Sequence, residues 1–532
     1  MQKRILSLML ALAMMITVFA GCGGNTGSSS ESTASQSAAS GSSESSASSE
    51  AQSSQTSQSS GEETVVRMNI GSEPDSLDPW QSAASDTEAI MHNVFEGLCL
   101  YDENGEIIPG LAESWDISED GLTYTFHLRE DVTFHNGKPL TSADVLYTYN
   151  NLAGMGGEKA VSSKFENVES FEATDDYTFV IKLKEPSAGF LSLNIIAVLP
   201  EGYEDQATAP VGTGPFKFVE YTPSQRIVLE KNDDYYDQNR MAQVDRVEFY
   251  IMTDSAAVVS ALQSGTLDIA SVNADDAAVL EGQYDIYNSP QNMVQIFAMN
   301  NSVAPFDDVR VRQAINYAID KDQIIDSVFG GYATKLYTNF SPVMGVYYNE
   351  ELEGSYDTDV EKAKELLKEA GYEDGFTFTI TAPANYQAHI DTAQIIAQQL
   401  QQVGITANIE TMEWATWLED VYGNAQYEAT IVGLTGKLDP DAVLGRFKTT
   451  YPKNFFKFSN EEYDQLITSA LTEQDEQTRI DDYKRCQEIL TEQAAAAFIS
   501  DPNLVVACRK DLKGYTFYPV TFHDMTKLYY EG

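Results

Sequence analysis

The chain has 532 residues, of which 81 are acidic and 33 are basic, and its formal net charge at pH 7 is −48. Nucleic-acid binding requires a basic face, so this balance excludes that class of function. The length is ample for two or three domains with cores of their own.

The first 63 residues predict export followed by a tether. Lys3 and Arg4 precede an uncharged apolar run at 5–20, which is short for a membrane span. The run ends in the sequence FAGC, which resembles the lipobox of bacterial lipoproteins and implies a signal peptide at 1–21 with a lipid on Cys22. An ordinary secretory peptide with a chance cysteine is the alternative. Residues 22–63 are rich in Ser, Ala and Gln, and this composition predicts a disordered tether.

Strand patterns dominate the first part of the body of the chain. The segments with strand character are 64–70, 177–183, 216–219, 227–230 and 244–251. Apolar and polar residues also alternate from Leu122 to Leu128, as in a half-buried strand. Thr141, with Asp144 three residues later, then predicts a helix N-cap with an acidic first turn.

Helical patterns concentrate later in the chain. Thr358 and Ser459, each with a glutamate three residues on, are the predicted N-caps of two helices. Long helices are predicted at 386–403 and 475–496, and strand character returns from 498. The order of elements indicates an α/β protein with interleaved segments.

Several blocks together resemble the peptide/nickel-binding family of extracytoplasmic solute-binding proteins, the capture subunits of ABC importers. The blocks are residues 71–80 (GSEPDSLDPW), 112–152 (AESWDISEDGLTYTFHLREDVTFHNGKPLTSADVLYTYNNL), 211–237 (VGTGPFKFVEYTPSQRIVLEKNDDYYD) and 305–325 (PFDDVRVRQAINYAIDKDQII). The resemblance covers essentially all of residues 64–532.

The resemblance implies a two-lobed periplasmic-binding-protein-like fold of the large three-domain type, with a hinge between the lobes. Lobe I is expected to comprise 64–108, 209–297 and 498–532, with an extra domain at 109–208 and lobe II at 298–497. Crossovers near 297 and 497 would form the hinge, and closure around a ligand would create the state that a permease recognises.

Catalytic motifs are absent from the sequence. There is no Gly-x-Ser-x-Gly elbow and no His-Glu-x-x-His, and the five histidines are scattered, so we expect neither an enzyme nor a metal or other cofactor. The Gly212-Thr213-Gly214 sequence precedes a strand rather than a helix and is interpreted as a structural turn. Cys99, Cys486 and Cys508 are predicted to be mostly buried, inert thiols, although Cys486 and Cys508 could pair in an oxidising compartment.

The loop Gly433-Leu434-Thr435-Gly436-Lys437-Leu438-Asp439-Pro440 is the expected ligand loop. In peptide-binding relatives an aspartate of this loop captures the α-ammonium of the peptide, because a desolvated ammonium needs a carboxylate partner. With Gly433 setting the register, Lys437 takes the place of that aspartate and would suit an anionic ligand. Asp439 taking over the role, with Lys437 as a solvated rim residue, is the alternative.

Other residues are predicted to line the cleft by their position in the resemblance. They are Leu434, Thr435, Trp414, Trp417, Ala83, Ser85 and Phe297. The two tryptophans could stack on a flat or apolar ligand, and core packing under the loop is the alternative for both.

The predicted function is solute capture by a monomeric, lipid-anchored binding protein on the outer face of the bacterial cell membrane. The solute is expected to be a short peptide or peptide-like molecule, delivered to the transmembrane subunits of an ABC permease. Opines, glycosides, N-blocked peptides and anionic metabolites stay open as ligands. A surface receptor without transport is the alternative function.

Overall fold

The structure, a computed structural model, describes residues 63–531 apart from 83, 156, 158 and 521. The strands in this part of the chain are β1 (Val65–Ile70), β2 (Cys99–Tyr101), β3 (Ile107–Pro109), β4 (Ala112–Ile117), β5 (Thr123–Leu128), β6 (Val168–Asp175), β7 (Thr178–Leu183), β8 (Phe216–Thr222), β9 (Arg226–Lys231), β10 (Arg246–Ile251), β11 (Ile269–Ser271), β12 (Tyr284–Pro290), β13 (Met293–Met299), β14 (Ala333–Lys335), β15 (Thr377–Pro383), β16 (Thr406–Met412), β17 (Ala429–Thr435), β18 (Ala497–Arg509), β19 (Leu512–Lys513) and β20 (Tyr529–Tyr530). The α-helices are α1 (Ser85–Met91), α2 (Ser142–Ala153), α3 (Ser255–Ser264), α4 (Ala274–Leu280), α5 (Val309–Ala318), α6 (Lys321–Phe329), α7 (Val360–Glu369), α8 (Gln387–Leu400), α9 (Trp414–Trp417), α10 (Pro440–Leu444), α11 (Glu461–Ala470) and α12 (Glu476–Glu492).

One twelve-stranded sheet runs through both lobes of the protein. Its order is β16-β15-β17-β13-β18-β11-β1-β10-β9-β8, and β12 and β14 also pair with β18. We call the part built on β1 and β8–β12 lobe I, and the part built on β13–β17 lobe II. Strand β18 belongs to both parts, so the two lobes share one continuous strand. This is the two-lobed α/β fold that the sequence predicts.

The crossover between the lobes is a change of partners along β18. Pro502 pairs with β14 of lobe II, whereas Asn503 pairs with β12 of lobe I. The second crossover, the short connection from β12 to β13, lies beside it. The fully buried Asp501 joins the two, because its Oδ1 accepts hydrogen bonds from the backbone N–H of Met293 at 3.1 Å and of Gln291 at 3.3 Å. Both crossovers are therefore tied at one point.

A separate antiparallel sheet, in the order β4-β5-β7-β6, forms a third body with α2 packed on it. The predicted alternation of β5 is confirmed, since Tyr124, Phe126 and Leu128 are buried in a core that this sheet shares with α2. The predicted N-cap of α2 is also confirmed. The Asp144 carboxylate accepts a hydrogen bond from the backbone N–H of Thr141 at 3.0 Å, which satisfies a donor that the helix leaves free.

Lobe II has a hydrophobic core on each face of its sheet. Val294, Ile296 and Ala298 of β13 belong to one core, and Phe297 and Met299 belong to the other. This follows from the strand geometry, in which successive side chains point to opposite faces. From Val294 to Met299 this strand is buried on both faces, which leaves no side there for a ligand.

Two helices begin one residue later than predicted. Asp359 caps α7, with its carboxylate accepting the N–H of Lys362 at 2.9 Å, while the hydroxyl of Thr358 donates to a backbone carbonyl instead. Asn460 likewise caps α11 in place of Ser459. In both cases an Asp or Asn, equally good as a cap, directly follows the predicted Ser or Thr.

The Gly212-Thr213-Gly214 turn is structural, as the sequence indicated. A Cβ on Gly212 would lie 2.0 Å from the carbonyl oxygen of Val94, and one on Gly214 would lie 2.5 Å from that of Asn93. No side chain fits at such a distance, so the two glycines allow close backbone packing against the segment after α1.

The cysteines of the described chain are buried thiols. Cys99, Cys486 and Cys508 are all free, so the pairing of Cys486 with Cys508 that the sequence left open is not made. Burial raises the pKa of the Cys99 thiol to about 12, which makes it unreactive near neutral pH.

None of the helices within the described residues is both long and apolar enough to cross a membrane.

Asp268 fastens the strands whose ends form the floor of the cleft. Its buried carboxylate accepts the backbone N–H of Arg67 in β1 at 2.9 Å and forms an ion pair with Arg509 of β18 at 2.8 Å. The neighbouring Asp511 also pairs with Arg509, at 2.6 Å, but its side chain is 47% exposed.

We expect Asp268→Ala to lower the free energy of unfolding by about 2–3 kcal/mol, because hydrogen bonds to a charged group are lost and buried donors are left unpaired. Asp511→Ala is the matched control and should cost less than about 1 kcal/mol, since exposed ion pairs contribute little. Urea denaturation followed by circular dichroism measures both. Equal losses of unfolding free energy in the two variants would contradict the role of Asp268 in joining these strands.

Candidate functional site

The cleft between the lobes contains a first cavity, cavity A, of about 550 Å³. Strand β1 pairs in parallel with both β10 and β11, so the carboxyl ends of the three strands meet at one edge. Ile70, Met252 and Ser271, at or just beyond those ends, line cavity A. Open α/β sheets bind ligands in the crevice outside the carboxyl ends of their strands.

Cavity A presents mainly aromatic and neutral surface. A wall from the C-terminal segment is formed by Tyr515, Phe517, Tyr518 and Phe522. The two carboxylates in the lining, Asp86 and Asp276, are already hydrogen-bonded by the Ser72 hydroxyl at 2.8 Å and the Asn273 amide at 2.7 Å. This cavity therefore suits an apolar or flat group better than a charged one.

A second cavity, cavity B, of about 520 Å³ lies between the β2–β3 hairpin, the third body and lobe II. The tip of the β2–β3 hairpin comes from one side, residues 188–192 of the third body from another, and loops of lobe II close it. Its lining includes the charged residues Asp439, Arg479 and Glu476 and the hydroxyls of Tyr101 and Tyr347. Cavity B is thus the charged compartment of the cleft.

Asp439 is half-buried at the start of α10. Its Oδ1 accepts the backbone N–H of Asp441 at 3.1 Å, which caps the helix. Burial raises the pKa of Asp439, while this hydrogen bond and the positive charge of Arg479 act in the opposite direction. Gly189 of the third body packs directly against it, since a Cβ there would lie 3.2 Å from Oδ2 of Asp439. The carboxylate is therefore held between two parts of the fold and largely removed from water.

Asp441, two residues further on, forms a carboxylate pair with Asp439. Burial and the nearby charge of Asp439 raise the pKa of Asp441 to about 6, with Lys448 opposing the shift. Two carboxylates that share one poorly hydrated region favour a cation between or beside them.

Arg479 supplies the positive charge of cavity B from α12. Its Nη2 donates a hydrogen bond to the hydroxyl of Tyr347 at 2.7 Å. Its Nε is buried and has no hydrogen-bond partner within the described residues. The guanidinium lies over the ring of Tyr347, with Cζ 5.7 Å from the ring centroid, and is held at the wall of cavity B.

The lobes are in contact across the cleft in this structure. The backbone N–H of Ala188, in the third body, donates to the carbonyl of Leu471 in lobe II at 3.1 Å. A Cβ on Gly121 would lie 2.9 Å from the side chain of Gln474. These contacts join the third body to lobe II, as in a closed arrangement.

The predicted site residues fall into four groups. Ser85 and Thr435 meet in cavity A, one from each lobe, and Asp439 lines cavity B. Lys437 is exposed and lines neither cavity. Ala83 and Cys22 lie outside the described residues.

The remaining predicted residues pack inside lobe II. Trp417 is 1% exposed and donates from Nε1 to the hydroxyl of Thr430 at 3.0 Å. Trp414 is half-buried and stacks on Trp417, with ring centroids 5.1 Å apart, and Leu434 packs against the same core. Phe297 is fully buried in the opposite core. All four line neither cavity, so core packing is the arrangement that the structure has for them.

The sequence did not indicate several residues of cavity B. The turn at Asp102–Gly105 has no sequence pattern typical of a binding site, yet Asn104 and Gly105 at its tip line the cavity beside Tyr101. Arg479 lies forty residues beyond Asp439 on a helix with mixed charges, and no local pattern distinguishes it. Within the described residues no group of three or more His, Cys, Asp and Glu is arranged to hold a metal.

Comparison with known proteins agrees with this geometry. Residues 106–455 match the family model "Bacterial extracellular solute-binding proteins, family 5 Middle". Di/tripeptide-binding protein 1 of Pseudomonas aeruginosa is 31% identical over 491 residues, covering 84% of this chain and 90% of that protein.

Solved structures give the same result. The ABC transporter substrate-binding protein CtaP of Listeria monocytogenes superposes with a TM-score of 0.79 and 28% identity, over 88% of this chain and 99% of its own. For DppA of Helicobacter pylori in complex with the peptide STSA the TM-score is 0.69 and the identity 29%, over 88% and 98% of the two chains. The chain therefore belongs to family 5 of the bacterial extracellular solute-binding proteins, the substrate-binding components of ABC importers.

Proposed function

We propose that this protein captures a short peptide with free termini in cavity B and delivers it to the permease of an ABC importer. The observation that carries the proposal is the presence of Asp439 and Arg479 in one cavity. A short peptide with free termini is a zwitterion, with one ammonium and one carboxylate a few ångströms apart. Asp439 offers a carboxylate to the ammonium and Arg479 a guanidinium to the carboxylate, and the cavity also contains the carboxylates of Glu106 and Glu476.

The energetics favour these two residues as anchors. An ammonium that leaves water without a carboxylate partner pays a prohibitive desolvation cost, and the half-buried Asp439 supplies that partner. A guanidinium binds a carboxylate through charge-assisted hydrogen bonds, and Arg479 lines the same cavity as Asp439. Tyr101 and Tyr347 add neutral hydroxyls for the peptide groups between the termini.

The names of the related proteins support a peptide over the other ligand classes. One relative is a di/tripeptide-binding protein, and one structural neighbour holds a four-residue peptide. The exposed position of Lys437 removes the main argument for an anionic ligand, which rested on that lysine facing the cleft. Asp439 is the better candidate for the ammonium site.

Capture is proposed to occur by closure of the lobes, without any bond being made or broken. The contact between Ala188 and Leu471 forms only when the third body and lobe II approach each other. Closure would also desolvate Asp439 against Gly189, which strengthens its attraction for an ammonium. A permease that contacts the rims of both lobes would then distinguish the closed, loaded protein from the open one.

The N-terminal segment is proposed to hold the protein at the outer face of the cell membrane as a monomer. Support comes from the FAGC sequence ending at Cys22 and from the serine-rich segment that follows it. With roughly 5–6 Å times the square root of the number of residues, a flexible tether of this length reaches on the order of 35 Å. That distance lets a tethered body contact a permease in the same membrane.

The first prediction concerns the ammonium anchor. Asp439→Asn keeps an N-cap for α10, because Asn caps helices as well as Asp does, but it removes the charge. We expect it to weaken binding of a free-amine dipeptide by about 2–5 kcal/mol, measured by isothermal titration calorimetry. The N-acetylated dipeptide, which has no ammonium, should bind the wild type weakly and lose little more in the variant.

Lys437→Gln is the matched control from the same loop. Its affinity for the free-amine dipeptide should stay within about 0.5 kcal/mol of the wild type, as for an exposed residue without contacts. A large loss of affinity in Lys437→Gln with none in Asp439→Asn would contradict this assignment. It would indicate that Lys437, and not Asp439, contacts the ligand.

The second prediction is a pH dependence of binding. Burial raises the folded-state pKa of Asp439 above its ordinary value, so this carboxylate takes up its proton at a higher pH than a solvated aspartate does. A protonated anchor cannot hold an ammonium, and the affinity should fall by up to roughly tenfold per pH unit below the pKa of Asp439. Above pH 8 it should fall again as the α-amino group of the peptide is deprotonated. Asp439→Asn should abolish the decrease of affinity at low pH. A decrease of equal slope in this variant would show that another group causes it.

The third prediction concerns the lipid anchor. In the host cell Cys22→Ser should move the protein from the membrane fraction to the medium or periplasm, because stable anchoring requires the acyl chains. Immunoblots of the fractions measure this, and mass spectrometry of the wild-type N-terminus identifies the lipid. Cys99→Ala, which changes a buried cysteine of the body, should stay in the membrane. Retention of Cys22→Ser would show that another element anchors the protein.

A further inference from the structure

Cavities A and B are neighbours in the same cleft, and a single loop connects them. Thr435, at the end of β17, lines cavity A, and Leu438, three residues later, lines cavity B. The side chain between the two compartments is therefore the one that decides whether they form one binding site or two.

Leu438 lies at the edge of cavity B beside Gly105 of the β2–β3 hairpin, which also approaches Pro519 of the C-terminal segment. A Cβ on Gly105, at the tip of the β2–β3 hairpin, would lie 3.1 Å from Cδ1 of Leu438 and 2.9 Å from Cγ of Pro519. Gly105 has a φ of +82°, which suits glycine, so the hairpin tip approaches both side chains closely. The neighbours of Pro519 on either side, Tyr518 and Val520, line cavity A.

These contacts make a partition across the cleft, with Gly105 and Pro519 on one side and Leu438 on the other. Only Leu438 comes from lobe II, so the partition forms when the lobes close. Leu438 is half-buried. A substitution can remove its side chain from the partition without changing the turn at Gly105 or the backbone at Pro519.

The size of cavity B sets a limit on the ligand. A compartment of about 520 Å³ has an edge of roughly 8 Å when treated as a cube, and an extended chain needs roughly 3.3–3.6 Å per residue. Two residues fit along that length, and a third fits when its side chain or backbone turns. A longer peptide has to cross the partition into cavity A.

We propose that Leu438 determines ligand length: by closing cavity B against cavity A it restricts capture to peptides of two or three residues. This inference rests on the proposed function, since it names the subset of peptides that the same site accepts. Cavity A then takes no part in binding peptides of two or three residues.

The test is a series of alanine peptides with free termini, from two to six residues long, titrated calorimetrically into the wild type, Leu438→Ala and Leu438→Met. The wild type should bind the two- and three-residue peptides at least about tenfold more tightly than the longer ones, the scale on which a pocket wall discriminates. Leu438→Ala should reduce that preference to within about threefold by gaining affinity for four to six residues. Leu438→Met conserves the side-chain volume and should keep the wild-type preference.

The outcomes separate this inference from the proposed function. Wild-type binding of short peptides with an unchanged preference in Leu438→Ala would overturn the partition and leave the proposed function standing. Wild-type binding of five- or six-residue peptides as tight as that of dipeptides would overturn the partition as well. Failure of the wild type to bind any peptide of the series would overturn the proposed function, and the partition with it. Melting temperatures of the three proteins, expected to agree because Leu438 lies at a cavity edge, verify that each variant is folded.

Discussion

Both lobes depend on one shared strand. Every strand of lobe II connects to lobe I through β18, which changes partners between Pro502 and Asn503. At that point the carboxylate of Asp501 is fully buried and accepts two backbone N–H groups of the other crossover. Burial raises the pKa of Asp501 to about 6, against the effect of its hydrogen-bond donors. A buried carboxylate held in this way is costly, and here it fixes both crossovers in the same place.

The cleft and its chemistry follow from this arrangement. Because both connections lie together, the opposite side of the cleft is free to open, and its walls come from segments distant in sequence. Asp439 follows β17, Arg479 lies on α12, and Gly189 belongs to the third body. Asp439 and Arg479 both belong to lobe II, and closure packs Gly189 of the third body against Asp439. A ligand that contacts the third body as well as lobe II would contribute interaction energy that only the closed state receives, and this differential affinity would shift the equilibrium toward closure.

Local patterns in the sequence predicted elements well where one face of an element is buried. The alternation in β5 and the cap of α2 at Thr141 are confirmed. Phe297 was placed in the cleft, but it lies on a strand buried on both faces, where an unbroken apolar run does not reveal which side faces a ligand.

The site was less predictable because its geometry depends on contacts between distant segments. The loop containing Lys437 and Asp439 was identified, but the choice between them depends on how α10 begins, and the cap at Asp439 turns that carboxylate inward. Arg479 and the hairpin tip at Gly105 carry no local signal, since each acquires its role from a body of the fold far away in sequence.

The most direct measurement is a crystal structure of the protein grown with a dipeptide that has free termini. The account predicts closed lobes with the dipeptide in cavity B, its ammonium within hydrogen-bonding distance of Asp439 and its carboxylate at Arg479. A dipeptide that lies in cavity A, or whose ammonium contacts another group, would contradict it.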